Sequence, residues 1–553
     1  MLGPVRGSVR GSLRGSLRGD CLAGLTVWAV LVPEALAYAS IAGVSPVVGL
    51  YAAPGALILY AVFGSSRQLI VGPMAATAAL SAAAVGTLAA GNAGMVTALT
   101  ITLAITVGII ALAAGLLRLG FVANFISEPV LKGFIIGLAL TIIIGQVPKL
   151  LGIDKGSGNF FRQLWTVLSH LGHTQWRTLI VGLVSLAIVL GLRRWLPAVP
   201  APLVAVAFGI LAVYSLNLHV KIVGHIDSGL PSFGFPSVPS GDYLKLAGPA
   251  VGIMLVGFAE GLGAAKTYAA KNGYEISPDS ELIGLGAANV AAGLSSGMVV
   301  NGSLSKTAVN GTAGARTQVS GLVVAALTIL TLLFLTGLFQ DLPEATLGAV
   351  VIAALIELVD LAALRALYRV HTSRLGRIYG PAARPDFIAA TAAMLGVLIF
   401  GTLPGLFIGI SMSLLLLVYR ASRPHVAVLG RAPGNDQWTD TEHYPEDTTI
   451  PGISVLRVES GLFFANADYV RAAVMRAAAR KPFAIVLDCE TVPFVDVTAA
   501  RMLDELTASL RARGIRLVIA REIGQVRDVL AASGPAPEYF PSVRAAVGMV
   551  RHG

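Results

Sequence analysis

"GMVVNGSLSKTAV" (Gly297–Val309) places a lysine, Lys306, among small and polar residues deep inside a mostly apolar chain. A charged side chain at the centre of a bilayer costs roughly 3 kcal/mol or more on insertion scales. The stretch runs through Gly302 into a short helix-forming segment near residue 304. A short, interrupted span that carries a charge is typical of a binding site in a membrane protein.

A second stretch, "RQLIVGPMAATAAL" (Arg67–Leu80), has the same organisation, because extended residues lead through Gly72 into a short apolar helix. Each stretch also follows a span that contains an acidic residue, Glu34 in the first half of the chain and Glu260 in the second. Interrupted spans at matching places in two halves indicate a transporter site built on inverted repeats.

The composition places both stretches in a membrane protein. Of the 553 residues, 55% are hydrophobic and only 13% are charged, whereas soluble domains carry about 25% charged residues. A spanning helix needs about 20 mostly apolar residues. Fourteen apolar segments occur, some of them short, near residues 21–42, 46–63, 74–90, 96–117, 129–150, 177–192, 198–216, 246–265, 282–297, 304–315, 318–338, 343–358, 386–401 and 403–419.

The predicted fold class is therefore a polytopic α-helical membrane protein with 14 transmembrane segments in a 7+7 inverted repeat. Since seven is odd, the second half inserts upside down relative to the first, and the two short helices begin near mid-membrane from opposite sides. The predicted domains are a basic N-terminal tail (1–19), a transmembrane domain (20–420, with repeats at about 20–216 and 246–420), a linker (421–451) and a C-terminal domain (452–553).

The positive charge belongs to the membrane part. Residues 421–553 contain 15 basic and 15 acidic residues, so the whole net charge of +10 lies in residues 1–420. The basic residues concentrate in alternate connections, and the positive-inside rule then places both termini in the cytoplasm of a bacterial-type inner membrane. We interpret the charge as orientation in a lipid bilayer and expect no nucleic-acid partner. The tail repeats Arg every four residues, either as a solvated segment or as a basic helical stripe on anionic lipid.

After Arg420 the chain becomes polar and rich in Pro, Gly and Asp. Apolar strands ("ISVLRV", "FAIVLDC", "IRLVIA") then alternate with amphipathic helices around 466–480, 498–513 and 523–533, which predicts a small cytoplasmic α/β domain with a mixed or parallel sheet. The two cysteines, Cys21 and Cys489, lie in different predicted domains, so no disulfide framework or cysteine-based metal site is indicated.

An anion accounts for the charge in the opening stretch. A helix that begins inside the membrane leaves backbone N–H groups free and carries about half a positive charge at its start. Ser303 and Ser305 add hydroxyl donors, and Lys306 adds a full charge. The alternative is that Lys306 extends to an interface, or pairs with Glu34 or Glu260.

The intramembrane carboxyl groups suggest ion coupling, for which Glu260 is the predicted residue and Glu34 an open candidate. Glu34 and Glu260 can each carry a proton, or bind Na⁺ when ionised. A structural ion pair or hydrogen bond is the alternative for both residues.

Several motifs resemble the SulP family of anion transporters, the sulfate permeases. They are "PEALAYASIAGVSPVVGLY" (33–51), "GSSRQLIVGPMAATAAL" (64–80), "GYEISPDSELIGLGAANVAAGL" (273–294) and "NGSLSKTAVNGTAGARTQVSGL" (301–322). The C-terminal "FVDVTAARMLDEL" (494–506) resembles the STAS domain that these transporters carry. The resemblance covers nearly the whole chain.

The resemblance implies core and gate domains, a homodimer and an elevator-like movement of the core. It places the anion between the starts of spans three and ten, with side chains from span one. The corresponding positions are Glu34, Tyr38, Met74, Ala75, Ser305 and Lys306.

Some positions depart from the animal relatives, which have Gln where Glu34 stands and Arg where Lys306 stands. An acidic residue beside an anion has three explanations. Glu34 is protonated, it pairs with Lys306, or a cation accompanies the substrate. Glu260 stands where bacterial members keep an acidic residue linked to proton or sodium coupling. Thr498 lies in the STAS loop at which related soluble proteins are phosphorylated, so it is a candidate regulatory site, with helix capping as the alternative.

The expected function is secondary transport of a small anion of the sulfate, bicarbonate or dicarboxylate class, by proton-coupled symport. The alternatives are sodium-coupled bicarbonate symport and an uncoupled anion channel or exchanger. We expect no enzyme activity, metal or cofactor, because no nucleophile–base set or metal cluster is visible in the sequence. H⁺ is the expected coupling ion and Na⁺ the alternative. A cytoplasmic partner through the STAS domain is also expected.

Overall fold

The computed structural model describes residues 12–552, except residues 90–91, 122–126, 155, 157, 197–198, 227, 357, 370–383, 436 and 534–537. The chain divides into two compact units, which are described separately. One unit contains the apolar helices up to residue 413, and the other contains a β-sheet with its covering helices.

Seven apolar helices form the first half of the larger unit: α1 (Ser12–Ala42), α2 (Pro46–Phe63), α3 (Ala75–Gly86), α4 (Ala93–Leu116), α5 (Glu128–Leu151), α7 (Trp176–Trp195) and α8 (Ala201–Leu216). Strand β1 (Ile70–Gly72) precedes α3, and the amphipathic helix α6 (Phe160–Ser169) precedes α7.

Seven further apolar helices follow: α9 (Ser240–Asn272), α10 (Pro278–Leu294), α11 (Leu304–Thr312), α12 (Val319–Leu330), α13 (Glu344–Ile356), α15 (Pro385–Phe400) and α16 (Thr402–Ala421). Strand β2 (Asn301–Ser303) precedes α11, and α14 (Leu361–Arg369) lies between α13 and α15. Each of the fourteen predicted segments thus corresponds to a helix. In the described part of the chain, nine helices are long and apolar enough to cross a bilayer, and three further apolar helices are shorter.

The N-terminal segment differs from the predicted tail. Residues 1–11 of that tail lie outside the described residues, whereas α1 already begins at Ser12. Asp20 is fully buried and accepts hydrogen bonds from the backbone N–H groups of Arg316 and Thr317 at 2.6 and 3.1 Å. These hydrogen bonds hold α1 in place near residue 20. Residues 12–19, at the end of the predicted tail, are therefore helical and are not a solvated coil.

Helices α4 and α10 approach each other at backbone distance. A Cβ atom added at Gly108 of α4 would lie 2.6 Å from the backbone nitrogen of Val290, and one added at Gly286 of α10 would lie 2.7 Å from that of Leu112. Small residues permit this approach in membrane helix pairs, where van der Waals packing drives association. Helix α4 also contacts α3, and α10 also contacts β2, so the pair lies beside the interrupted helices.

The second unit is a six-stranded mixed sheet. Its strands are β3 (Val426–Arg431), β4 (Trp438–Asp440), β5 (Ile453–Val458), β6 (Ala484–Asp488), β7 (Arg516–Ala520) and β8 (Glu538–Phe540), in the spatial order β4-β3-β5-β6-β7-β8. β3 is antiparallel to both neighbours, and β5 to β8 run parallel. The helices are α17 (Ala467–Ala478), α18 (Val497–Arg511), α19 (Gly524–Ser533) and α20 (Val543–His552).

Alternate residues of the central strand β6 supply two cores. Ile485 and Leu487 pack under α17, α18 and α19, whereas Ala484 and Val486 pack under α20 on the opposite face. This follows from the two-residue period of a strand. The three predicted helices and three predicted strands are present, and β8 and α20 are additional.

The segment 421–451, predicted as a linker, is corrected by the structure. It contributes β3 and β4, and β3 pairs with β5 from Val426↔Val458 to Val428↔Leu456. The high content of Pro, Gly and Asp reflects the turns around these two short strands. The sheet therefore begins at residue 426, before the predicted boundary at residue 452.

Candidate functional site: two helix starts around a buried ion pair

The site is built on a two-stranded ladder between the halves of the membrane unit. β1 and β2 are antiparallel, with Ile70 opposite Ser303 and Gly72 opposite Asn301. Each strand leads directly into a short helix, β1 into α3 and β2 into α11. The ladder therefore brings the starts of α3 and α11 together.

The first N–H groups of both helices have no partner within their own helix, as at every helix start. Extended residues cap them, Met74 before α3 and Ser303 before α11. The Ser303 hydroxyl accepts from the backbone N–H of Lys306 at 3.3 Å and lies 3.2 Å from the Ser305 hydroxyl. Ser305 itself is exposed, although it follows a buried strand. It is thus an accessible hydroxyl at the start of α11.

Lys306 is buried, with 1% of its surface exposed. Its Nζ lies 2.7 Å from Glu34 Oε2 and donates to the carbonyl oxygen of Pro73 at 3.3 Å. It also lies 5.2 Å from the centre of the Tyr38 ring, within cation–π range. Lys306 thus joins α1 to the residues that enter α3.

Glu34 and Tyr38 share one face of α1 because they are four residues apart. Both are buried, at 2% and 5% exposure. Pro33 lies inside α1 immediately before Glu34, and a proline there removes one helical hydrogen bond. The predicted site residues Glu34, Tyr38 and Lys306 therefore lie together in the structure.

Met74 and Ala75 lie at the start of α3, as the resemblance implies, with Met74 half-buried and Ala75 buried. Neither has a polar side chain. Their contribution to a ligand is thus limited to their backbone and to their small or flexible side chains.

Glu260 contacts the ladder from α9. Its Oε2 accepts from Asn301 Nδ2 at 3.4 Å. Asn301 packs on a glycine face of α9, where a Cβ added at Gly257 or Gly261 would lie 3.2 Å from its side chain. Of the two carboxylates that the sequence offers as partners for Lys306, the structure pairs it with Glu34.

Sequence reasoning missed Glu281 of α10, which is fully buried. Its carboxylate accepts from the hydroxyl of Tyr60 at 2.7 Å, from the backbone N–H and hydroxyl of Ser65 at 2.8 and 2.7 Å, and from the backbone N–H of Ser66 at 3.0 Å. It lies in the first turn of α10, where the helix dipole favours a negative charge. The sequence signal that could have identified Glu281 is an acidic residue directly before the predicted apolar segment 282–297.

Three more side chains hold the segment that leads into β1. Thr307 accepts from the backbone N–H of Ile70 at 3.1 Å, Asn310 donates to the carbonyl of Gln68 at 2.9 Å, and Gln318 donates to the carbonyl groups of Ser66 and Leu69 at 2.8 and 2.9 Å. Together with Glu281 they form what we call the 65–70 clamp. The clamp ties the segment that precedes α3 to α10, to α11 and to the residue that caps α12.

Thr498 is exposed in the first turn of α18. The cap of this helix is Asp496, whose side chain accepts from the backbone N–H of Ala499 at 2.8 Å. The alternative role of Thr498 as the cap is therefore corrected, and its hydroxyl is accessible.

Comparison with known proteins agrees with this architecture. Residues 17–379 match the model of the sulfate permease family, and residues 444–546 match that of the STAS domain. The chain belongs to the sulfate permease family. Among relatives of this permease, a probable sulfate transporter of Mycobacterium tuberculosis is 38% identical over 520 residues, which cover 93% of this chain and 91% of the relative. A chloroplastic sulfate transporter of Arabidopsis thaliana is 34% identical, over 93% of this chain and 76% of the relative.

Solved structures show the same fold. Murine SLC26A9, an anion transporter in the inward-facing state, aligns with a TM-score of 0.87 at 23% identity over 100% of the permease and 97% of that chain. The transmembrane domain of a cyanobacterial bicarbonate transporter, BicA, aligns with a TM-score of 0.61 at 23% identity over 71% of the permease and 97% of that chain. The permease is thus a multi-pass membrane protein of the anion-transporter family with a 7+7 repeat and a C-terminal STAS domain.

Proposed function

We propose that the protein is a proton-coupled symporter of a small oxyanion, in which Glu34 carries the coupled proton. The observation that carries the proposal is the buried contact of 2.7 Å between Lys306 Nζ and Glu34 Oε2. This pair lies between two helix starts whose free N–H groups favour an anion. The pair is neutral as a whole, so Lys306 has its full attraction for an anion only when Glu34 is protonated.

The order of events follows from charge balance. A proton on Glu34 neutralises its carboxylate and releases Lys306. The anion then takes the place of the carboxylate beside Lys306, where Ser305 and the first N–H groups of α3 and α11 donate to it. When the anion leaves, the freed Lys306 favours ionised Glu34, and the proton is released on the same side.

The substrate class follows from the donors. N–H groups, hydroxyls and one ammonium group recognise charge more than shape. The names of the Mycobacterium and Arabidopsis relatives support sulfate. Bicarbonate and dicarboxylates also belong to the class of small oxyanions. Measuring how well each anion inhibits the uptake of a labelled one distinguishes them.

Movement of the site as one body is supported by the 65–70 clamp. Because side chains of α10, of α11 and of the residue that caps α12 hold the residues before α3, the ladder and both helix starts form one block. We propose that this block carries the anion by an elevator-like movement in a homodimer. Both termini, and the STAS domain with any partner it binds, then lie in the cytoplasm of a bacterial inner membrane.

Sodium coupling is the second candidate, and one observation favours it. Glu260 accepts a hydrogen bond from Asn301 of the ladder, so carboxylate and amide oxygens lie beside the site. Such oxygen donors suit a hard cation when Glu260 is ionised. BicA, which shares the fold, is named as a bicarbonate transporter. A third candidate, an uncoupled channel or exchanger, needs neither carboxylate.

The deciding experiment measures proton movement into proteoliposomes that contain the full-length protein and an internal pH dye. Sulfate, bicarbonate and fumarate are added separately without Na⁺. Anion-dependent acidification supports proton symport and identifies the substrate class. If acidification or anion uptake occurs only after Na⁺ is added, the proposal of proton symport is replaced by sodium symport through Glu260. Anion uptake that moves no protons and needs no Na⁺ overturns both forms of coupling.

A further inference from the structure

The C-terminal unit contains three metal-ligating side chains that the anion site does not use. His425 precedes β3, Asp440 ends β4, and Glu442 lies in the turn that follows. Each offers one ligand atom, and the three atoms lie within 4.8 Å of one another. A ligand set of this size can surround a single ion.

The separation of the first two ligands agrees with a zinc site. His425 Nε2 lies 3.3 Å from Asp440 Oδ2. Two ligand atoms about 2.1 Å from a tetrahedral zinc ion lie about 3.4 Å apart. An ion could therefore enter between them with little movement of either side chain.

The backbone holds Asp440 in this orientation. Its Oδ1 accepts from the backbone N–H of Glu442 at 3.0 Å, and its carbonyl oxygen accepts from the N–H groups of His443 and Tyr444, each at 2.9 Å. Asp440 also lies opposite Leu429 in the β3–β4 ladder. With Oδ1 engaged in the turn, Oδ2 is the oxygen presented to His425. Outer contacts of this kind orient metal ligands in known sites.

The three ligand side chains differ in how deeply they are buried. The side chains of His425 and Asp440 are 16% and 12% exposed, whereas Glu442 is exposed. An ion held by the two inner ligands would meet Glu442 at the surface. A fourth, open position would remain for water, as in zinc sites with three protein ligands.

We propose that His425, Asp440 and Glu442 form a site for a divalent transition-metal ion of the Zn²⁺ class. One imidazole and two carboxylates suit Zn²⁺, whereas Mg²⁺ and Ca²⁺ prefer oxygen ligands alone. The ion ties the residue before β3 to the turn after β4. It thereby fixes the β3–β4 edge of the sheet, the part that follows the last apolar helix in the chain.

The test uses the full-length protein in detergent, stripped with a chelator and then dialysed against Zn²⁺ or Co²⁺. Metal content is measured by mass spectrometry, and the visible absorption of bound Co²⁺ reports its coordination. Asp440→Asn is the most informative variant, because its amide oxygen still accepts from the N–H of Glu442 while the second ligand oxygen is replaced. His425→Ala and Glu442→Gln remove the other ligands. His443→Ala is the matched control, since it removes a neighbouring exposed imidazole.

We expect one Zn²⁺ per chain and a tetrahedral Co²⁺ spectrum in the wild type and in His443→Ala. Loss of His425 or of the Asp440 carboxylate weakens binding at least about tenfold, the scale of outer-ligand effects in zinc sites. The proposal is overturned if the stripped wild type binds no ion, because the contact between His425 and Asp440 is then a contact within the protein and not half of a metal site. It is equally overturned if Asp440→Asn and His425→Ala keep the wild-type metal content. Neither result depends on transport.

Discussion

Lys306 Nζ and Glu34 Oε2 lie 2.7 Å apart, and both side chains are 2% exposed. One residue comes from the start of the short helix in the second repeat, and the other from the first helix of the first repeat. A buried ion pair is weak evidence for stability, because desolvation of the charges offsets much of their attraction. Its position between two helix starts is therefore better explained by function.

Glu34→Gln separates anion movement from proton movement. The amide keeps the size of the side chain but carries no proton and no charge, so Lys306 attracts the anion at every pH. In proteoliposomes we expect anion-dependent acidification to disappear while labelled anion exchange continues. Wild-type acidification in Glu34→Gln would show that Glu34 does not carry the proton.

Lys306→Ala has the opposite effect, since it removes the positive charge and leaves Glu34 buried without its partner. Removing one member of a buried pair costs roughly 3–5 kcal/mol when the remaining charge stays uncompensated. We expect anion binding to be lost and thermal stability in detergent to fall. The double variant Glu34→Gln with Lys306→Ala should regain stability but not binding. Anion binding by the double variant at wild-type affinity would contradict the assignment of Lys306.

Glu281→Ala tests the 65–70 clamp. Alanine offers no acceptor to the Ser65 and Ser66 N–H groups, and a buried donor without a partner costs about 1–3 kcal/mol. We expect a lower unfolding temperature than in Tyr60→Phe, the matched control, which removes one of the four hydrogen bonds to Glu281. Equal unfolding temperatures in wild type and Glu281→Ala would mean that the carboxylate does not hold the segment.

Cys489 is expected to be inert toward maleimide in the folded protein. Burial raises the pKa of its thiol, and the neighbouring Asp488 and Glu522 add to the shift. Since the thiolate is the reactive form, the raised pKa keeps the thiol protonated in mildly alkaline buffer. A Cys21→Ser variant leaves Cys489 as the sole thiol, and labelling is followed with and without denaturant. Rapid labelling without denaturant would contradict the burial.

The same raised pKa has a consequence for stability. The unfolded thiol ionises above a pH of about 8.5, whereas the folded thiol does not. The stabilising contribution is therefore present below that pH and is lost as the pH rises, by at most about 1.4 kcal/mol per pH unit. Cys489→Ala removes this part of the pH dependence.

The membrane helices were predictable because each depends on local composition. A run of about 20 apolar residues is its own signal, and all fourteen segments correspond to helices. Boundaries set by contacts from elsewhere in the chain were less predictable. α1 extends upstream of its apolar run, near the Asp20 contact with Arg316, and β3 forms in a polar segment because β5 pairs with it.

The candidate site was predictable in its residues but not in its pairing. Lys306 and the interrupted helices are visible as a charge and as glycines in apolar sequence. The sequence does not show whether Glu34 or Glu260 pairs with Lys306, since both carboxylates lie in spans and neither is near Lys306 in the chain. Glu281 was missed because its partners in residues 60–66 are distant in sequence.

The sequence by itself determined the membrane class, the two repeats, the interrupted helices and the small α/β domain, because hydrophobicity and its period are local properties. Only the tertiary structure decided that β1 pairs with β2, that Lys306 faces Glu34, and that Glu260 contacts Asn301 instead. These contacts join residues far apart in the chain, and their geometry depends on how the two repeats pack together.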